Sequence, residues 1–264
     1  MQGLINIAIK AAREAGDFII KAAQRLDLIT TSKKDPYDYV TDIDNKAERI
    51  IIRIIHEHFP DHGIHAEESG SQQDEHDISW IIDPLDGTKN FIHGIPHYAV
   101  SIGIKHKQQL IAAVIYDPSK QELFTAERGR GAKLNDKRIR VSNLNTLDNS
   151  LIATALPFKE RQKLPHQLAV ISQVYSHIAD IRRAGSAALD LAYVACGRLD
   201  GYFEIGLAPW DMAAGILLVR ESGGIIVDYR GGENYFSSGE IVTANPRLVK
   251  HLIRIIASVK NENH

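Results

Sequence analysis

Apolar residues at Leu4, Ile7, Ala8, Ala11, Ala15, Phe18, Ile19 and Ala22 recur every three or four positions, with Lys10, Arg13, Glu14 and Lys21 between them. That spacing predicts an amphipathic helix. The polar stretch 33–38, with Pro36 inside it, predicts a loop. After Val40-Thr41-Asp42-Ile43-Asp44 the helical period returns at Ala47, Ile50, Ile51, Ile54 and Ile55, which places Asp44 at the entrance of a second helix. The period then shortens. Residues 78–82, 98–104, 110–116 and 122–126 are short runs rich in β-branched side chains between turn residues, and they read as strands. Gly129, Gly131 and Asn135-Asp136 make 129–141 one or two hairpin segments.

The second half alternates. Strands are predicted at 151–155, 201–205, 225–228 and 241–243, and helices at 164–177, 187–196, 210–220 and from Pro246 onward. There is no internal repeat and no low-complexity linker, so the expected class is α/β, with layers of helix and sheet. A Ser/Asn/Thr/Asp-rich stretch at 142–150 marks a soft boundary inside one unit spanning 1–264, with lobes near 1–145 and 146–264.

Composition narrows the function classes. Hydrophobic residues at 44% and charged residues at 24% are those of an ordinary folded protein. A net charge of -2 supplies no global field for nucleic acid, so an anionic ligand must be met by a local site. The single cysteine, Cys196, follows a largely apolar run and is expected to be a buried structural thiol; one cysteine allows no intramolecular disulfide, in keeping with a reducing compartment. No basic segment precedes an apolar stretch at the start, and no run approaches the ~20 apolar residues that span a bilayer, which leads to a cytoplasmic expectation without membrane contact.

The candidate chemistry lies in Trp80-Ile81-Ile82-Asp83-Pro84-Leu85-Asp86-Gly87-Thr88, where two carboxylates follow an apolar strand, three positions apart across a turn. Each dipeptide alone is a common turn former. The pair suits Mg2+, a hard cation that takes oxygen ligands; Gly87 allows backbone to approach an anion and Thr88 adds a hydroxyl. Glu67 follows the short piece Gly63-Ile64-His65-Ala66 and is a further acid at a strand end. Asp211, after Ala208-Pro209-Trp210, is either a helix N-cap or a metal carboxylate, and Asp44 is either a cap or the partner of the Thr88 hydroxyl. His56, His58, His62 and His65 match no zinc spacing and are assigned to the surface. Dinucleotide-binding, Walker and Gly-x-Ser-x-Gly patterns are absent from the sequence.

Together Glu67-Glu68, Asp83 to Thr88 and Trp210-Asp211, with Asp42-Ile43-Asp44 upstream, resemble the signature blocks of the inositol monophosphatase family over nearly the whole chain. Residues 90–97, 182–193 and 206–211 are similar to its bacterial SuhB-type branch. The resemblance implies an α-β-α-β-α sandwich, a homodimer, two to three Mg2+ ions and inhibition by Li+. It implies hydrolysis of inositol 1-phosphate, or else of another small phosphomonoester such as fructose 1,6-bisphosphate, histidinol phosphate or a nucleotide phosphate. For the SuhB-type branch it implies, as an alternative, a non-catalytic role with the bacterial transcription machinery in ribosomal RNA synthesis, with Arg182-Arg183 open to partner contacts.

Carried onto this sequence, the family pattern makes Glu67, Asp83 and the Leu85 carbonyl ligands of one ion and Asp83, Asp86 and Asp211 ligands of a second, with Glu67 and waters at a weaker third. Thr88, with Asp44 behind it, would orient the attacking water. Gly87 and Thr88 amides would hold phosphate oxygens, and Gly185, Ser186, Ala187, Glu204 and Asp211 would border the substrate. Lys33 would sit on a mobile loop near the metals. The sequence departs from relatives at Tyr39, at Lys89 in place of a common threonine, and at Ala208, a position often basic in that branch.

Overall fold

The computed structural model describes residues 2–35, 38–72 and 76–259. In chain order the first elements are α1 (Gln2–Ala23), β1 (Thr31–Asp35), β2 (Asp38–Thr41), α2 (Asp42–His58), β3 (Gly63–Ala66), β4 (Gly70–Gln72), β5 (Ile78–Asp86) and α3 (Thr88–Ile92). Then come β6 (Ala99–His106), β7 (Gln109–Asp117), β8 (Glu122–Glu127), β9 (Gly131–Leu134) and β10 (Lys137–Arg138). The remainder is β11 (Leu151–Thr154), α4 (Leu164–Tyr175), β12 (Asp180–Arg182), α5 (Ala187–Ala195), β13 (Gly201–Ile205) and α6 (Pro209–Glu221), followed by β14 (Ile225–Val227), α7 (Tyr235–Ser238), β15 (Glu240–Ala244) and α8 (Leu248–Ser258).

Two mixed sheets organise these elements. The larger has the order β10-β9-β8-β7-β6-β5-β3-β4, with only β3 and β5 parallel; the smaller is β12-β11-β13-β15-β14, parallel around β11 and antiparallel beyond β13. Side-chain alternation assigns the layers. Trp80, Ile82, Val100, Ile102 and Val114 pack with α1 and α2, whereas Ile81, Ala113, Ile115 and Phe124 pack with α5 and α6. On the smaller sheet Ala153, Tyr202 and Ile241 meet α5 and α6 from the other side, while Ile152, Phe203, Ile205 and Val242 pack on α4 and α8. The architecture is therefore an α-β-α-β-α sandwich. Strands buried on both faces explain why the central runs are almost continuously apolar.

The middle helix layer is the most enclosed. Met212 to Val219 of α6 are all buried, as expected of a helix covered on every side. At Gly215 an added Cβ would stand 2.5 Å from Leu191 Cβ, so glycine is what lets α6 lie directly on α5.

Several expectations need correction. The stretch read as a polar loop at 33–38 contains strand: β1 and β2 pair antiparallel, Thr31 opposite Thr41. A two-stranded ribbon carries no core-facing apolar alternation, which is the signal a sequence reading depends on. Lys33 lies in β1, and its side chain, like Pro36 and Tyr37, is outside the described residues. Cys196 is half-buried rather than fully enclosed; burial still pushes its thiol up, and its Sγ donates to the Tyr193 carbonyl at 3.5 Å. Of the four histidines assigned to the surface, His56, His62 and His65 are half-buried: His62 stacks on Phe59 and accepts the Trp80 indole N–H at 3.0 Å, and His65 lies 5.4 Å from the Trp210 ring. Among the described residues, no helix is long and apolar enough to cross a membrane.

Candidate active site

Parallel pairing of β3 with β5, Ala66 opposite Ile82, brings both strand ends to one edge, where the Glu67 amide donates to the Ile82 carbonyl at 3.1 Å. Glu67 thus stands beside Asp83. The register between β5 and β6 slips between Asp83 and Asp86, where Pro84 has no N–H to give to the ladder. The slip re-aims the chain so that both acids face one cleft. Gly87 then takes φ +94°, and a Cβ there would lie 2.9 Å from the His97 carbonyl oxygen. Only glycine makes this turn into α3 without strain.

Asp44 and Asp211 sit at the third position of their helices, not at the caps. Thr41 caps α2 and Asp44 accepts from the Thr41 amide at 2.8 Å; Ala208 precedes α6 and donates its amide to Asp211 at 2.6 Å. Reaching back in this way fixes each carboxyl in one rotamer. The Asp44 carboxylate also accepts the Thr88 hydroxyl at 2.9 Å, a contact between residues 44 positions apart, and the same hydroxyl lies 3.0 Å from the Leu85 carbonyl oxygen.

From the second half of the chain, Ser186 caps α5, and its hydroxyl together with the Ala188 amide donates to Asp86 Oδ2. Glu204, on β13, accepts from the buried Tyr202 hydroxyl. Glu67, Asp83, Leu85, Asp86, Gly87 and Thr88 form one side of a cleft that opens to solvent, and Gly185, Ser186, Ala187, Glu204 and Asp211 also border it. Asp44 lies behind Thr88.

The electrostatics of this floor are strongly unfavourable to negative charge. Burial, followed by the charges of Glu67, Asp86 and Asp211, holds the Asp83 carboxyl well above the ordinary range. Burial and then Glu67 and Asp86 do the same to Asp211. Asp86 is raised to about 6 by burial, against the hydrogen bonds from Ser186 and Ala188. Burial also raises Asp44, although Thr41 and Thr88 favour its anion, and raises Glu204 to about 7.

Among the described residues, no three acidic, imidazole or thiol side chains stand in a closed metal-binding arrangement. The donor set nevertheless fits a hard divalent cation: four carboxylates and a backbone carbonyl in one cleft, all oxygen, with mutual repulsion that a cation would remove. The protein hydrogen bonds named above fall on Oδ2 of Asp86, Oδ2 of Asp211 and, from the Leu85 amide at 3.0 Å, Oδ1 of Asp83. A carboxyl oriented through one oxygen still presents the other.

The sequence model of the inositol monophosphatase family matches residues 1–262. The chain belongs to the inositol monophosphatase family. It is 50% identical over 257 residues to the Nus factor SuhB of Pasteurella multocida (strain Pm70), covering 97% of this chain and 96% of that one. The fold matches the crystal structure of extragenic suppressor protein suhB from Bartonella henselae with a TM-score of 0.93 at 42% identity, over 96% of this chain and 98% of the other. It also matches an inositol monophosphatase from Anabaena (Nostoc) sp. PCC 7120 with a TM-score of 0.88 at 36% identity, over 98% and 97% of the two chains.

Within this family architecture, three residues that sequence reasoning passed over help to shape the site. Glu48, buried in α2, accepts the Glu68 and Ser69 amides at 2.8 and 2.9 Å and so anchors the segment that carries Glu67. Asn90 Nδ2 donates to the His97 and Ala184 carbonyls at 2.8 and 3.0 Å, tying α3 to the chain entering Gly185. Asp190 lies buried along the cleft, its carboxyl pushed well up by burial and then by Glu204 and Asp86. Glu48 is a charged residue on an amphipathic helix, where sequence alone reads solvent; Asn90, at the start of the 90–97 segment, was the one that could have been found.

Proposed function

We propose that this chain is a Mg2+-dependent phosphomonoesterase for small polyol phosphates, with inositol 1-phosphate the first substrate to try. The observation that carries the reading is the Thr88 hydroxyl, held against Asp44 at 2.9 Å at the edge of the four-carboxylate floor. Glu67, Asp83, Asp86, Asp211 and the Leu85 carbonyl are the residues that would hold two to three Mg2+ ions. Bound there, Mg2+ supplies charge neutralisation for the phosphate and acidifies water.

The protein's own groups do the rest. Buried Asp44 accepts a hydrogen bond from the Thr88 hydroxyl and leaves the hydroxyl oxygen free to accept from a water approaching phosphorus, which orients that water in line with the leaving oxygen. The Gly87 and Thr88 amides bind phosphate oxygens. Gly185, Ser186, Ala187 and Glu204 meet the alcohol, Glu204 accepting its hydroxyls. In this reading Lys33 approaches the metals from β1, and the protein works in the cytoplasm as a homodimer.

The test is phosphate release from a panel of inositol 1-phosphate, histidinol phosphate, fructose 1,6-bisphosphate and a nucleotide phosphate, with and without Mg2+, and with Li+ added. Metal-dependent release that Li+ suppresses is expected; folded protein that releases none from any member under any of these conditions sinks the reading. A second reading, non-catalytic action with the transcription machinery, is favoured by the relatives named Nus factor SuhB. A cellular role that survives Asp83→Asn supports it, and one lost with catalysis speaks against it.

A further inference from the structure

Carbonyl oxygens from two distant segments surround the amide nitrogen of half-buried Asn90: those of His97 at 2.8 Å, Ala184 at 3.0 Å and Gly185 at 3.4 Å. Acceptors in those places settle which end of the carboxamide is nitrogen. A carboxamide has two N–H groups, so the consecutive carbonyls of residues 184 and 185 share one and His97 takes the other.

The two ends of this strut differ in how they are held. At the first, the His97 amide donates to the Ile95 carbonyl and the Ile95 amide to the Asn90 carbonyl, both at 2.8 Å. The adjacent Pro96 carbonyl accepts from Lys120 Nζ at 3.1 Å, and the fully buried Asp117 carboxylate accepts from the same ammonium at 2.6 Å. This anchored segment also backs the turn at Gly87, since the His97 carbonyl oxygen is what a Cβ on Gly87 would strike. At the second end the chain is an irregular connection between β12 and α5, with Gly185 at φ +92°. A Cβ at Gly185 would stand 3.2 Å from Asn90 Nδ2, so glycine leaves room for the amide to come this close. Gly185, Ser186 and Ala187 then border the cleft.

We propose that Asn90 is a positioning residue for the alcohol part of the substrate: its carboxamide sets residues 184–187 at a fixed distance from the turn at Gly87 and Thr88. The proposal rests on the phosphatase reading above and deepens it. A strut between two binding segments acts on a ligand that touches both. A phosphate ester spans the turn and the alcohol-facing wall, whereas orthophosphate needs the turn alone. Contacts to the alcohol are made before and during reaction alike, so losing their alignment raises KM and leaves kcat nearly unchanged.

The experiment uses the panel member that the parent protein hydrolyses best. It measures kcat and KM for that substrate, Ki for inorganic phosphate as competitor, and the Mg2+ concentration for half-maximal activity, in the parent, Asn90→Ala and Asn90→Asp. Asn90→Ala should raise KM about tenfold, what one or two hydrogen bonds to substrate hydroxyls contribute, with the other three quantities within about twofold of the parent. Asn90→Asp turns acceptor oxygens on the same carbonyls and should raise KM at least as far. It keeps the side chain's volume, so the split between KM and phosphate Ki is readable there if Asn90→Ala does not fold. A matching rise in phosphate Ki or in the Mg2+ requirement would assign Asn90 to the phosphate turn or the acidic floor and overturn the proposal. An unchanged KM in both variants overturns it too, and either result leaves the phosphatase reading intact. A parent that releases no phosphate from any panel member overturns both.

Discussion

Asp83, Asp86, Gly87 and Thr88 reach the cleft from six consecutive positions at the end of one strand, whereas Ser186, Glu204 and Asp211 reach it from a helix cap, a strand interior and the first turn of another helix. The first wall is made by one local event, the register slip at Pro84 and the glycine turn after it. The second exists only once the smaller sheet and the α5–α6 layer have closed on the larger sheet. The walls are stitched by Ser186 and Ala188 on Asp86, and by Asn90 on Ala184. A cleft built this way can keep its phosphate chemistry on the contiguous wall while the dispersed wall changes what it accepts.

The sharpest way to break that contrast is at the contiguous wall. Asp83→Asn removes the buried carboxylate that faces the charges of Glu67, Asp86 and Asp211, and Mg2+-dependent phosphate release should fall about 10³-fold or more. A variant that retains most of its activity would remove Asp83 from the chemistry.

The dispersed wall should answer in stability. Glu204 has its pKa raised from the model-compound 4.5 to about 7, so between these values the folded state binds more protons than the unfolded. The metal-free protein therefore loses stability as pH rises through 7, by about 3 kcal/mol from this group alone. Denaturant unfolding in chelator at pH 5 and pH 8 should show Glu204→Gln losing about that much less than the parent, while its polyol phosphate KM rises. Equal pH dependence in the two proteins would count against burial holding the Glu204 carboxyl protonated.

The smallest of the three effects tests the scaffold behind the first wall. Glu48→Ala leaves the Glu68 and Ser69 amides without their acceptor, and the Mg2+ concentration for half-maximal activity should rise about tenfold with kcat at saturation changing less. Glu48→Gln, which keeps one acceptor, should lie between. An unchanged Mg2+ requirement in both would mean that the Glu67 segment is placed without α2.

How much of this was legible follows from how local each cause is. The long helices and the central strands stand out because their apolar periods persist for many residues. The Asp83–Thr88 block is readable because its chemistry is contiguous. The hairpin of β1 and β2 is not, since its cross-strand pairing leaves no apolar stripe, and β4, β12 and α7 are too short to leave a period. Asp44 and Asp211 could be placed near helix starts but not at the third position, because the residue that caps is chosen by backbone conformation at Thr41 and Ala208. Glu48 is invisible for a different reason. A polar residue on an amphipathic helix is buried only if another segment covers it, and residues 68 and 69 come from beyond a turn.

The chain's two tryptophans sit in opposite surroundings. Trp80 is fully enclosed, with its indole N–H taken by His62, and Trp210 is half-buried against His65 in the residue immediately before Asp211. One indole is thereby shielded from anything that enters the cleft, and the other belongs to the residue next to one of the cleft's carboxylates. Any change in ultraviolet emission when the site fills should therefore come from Trp210 rather than from Trp80.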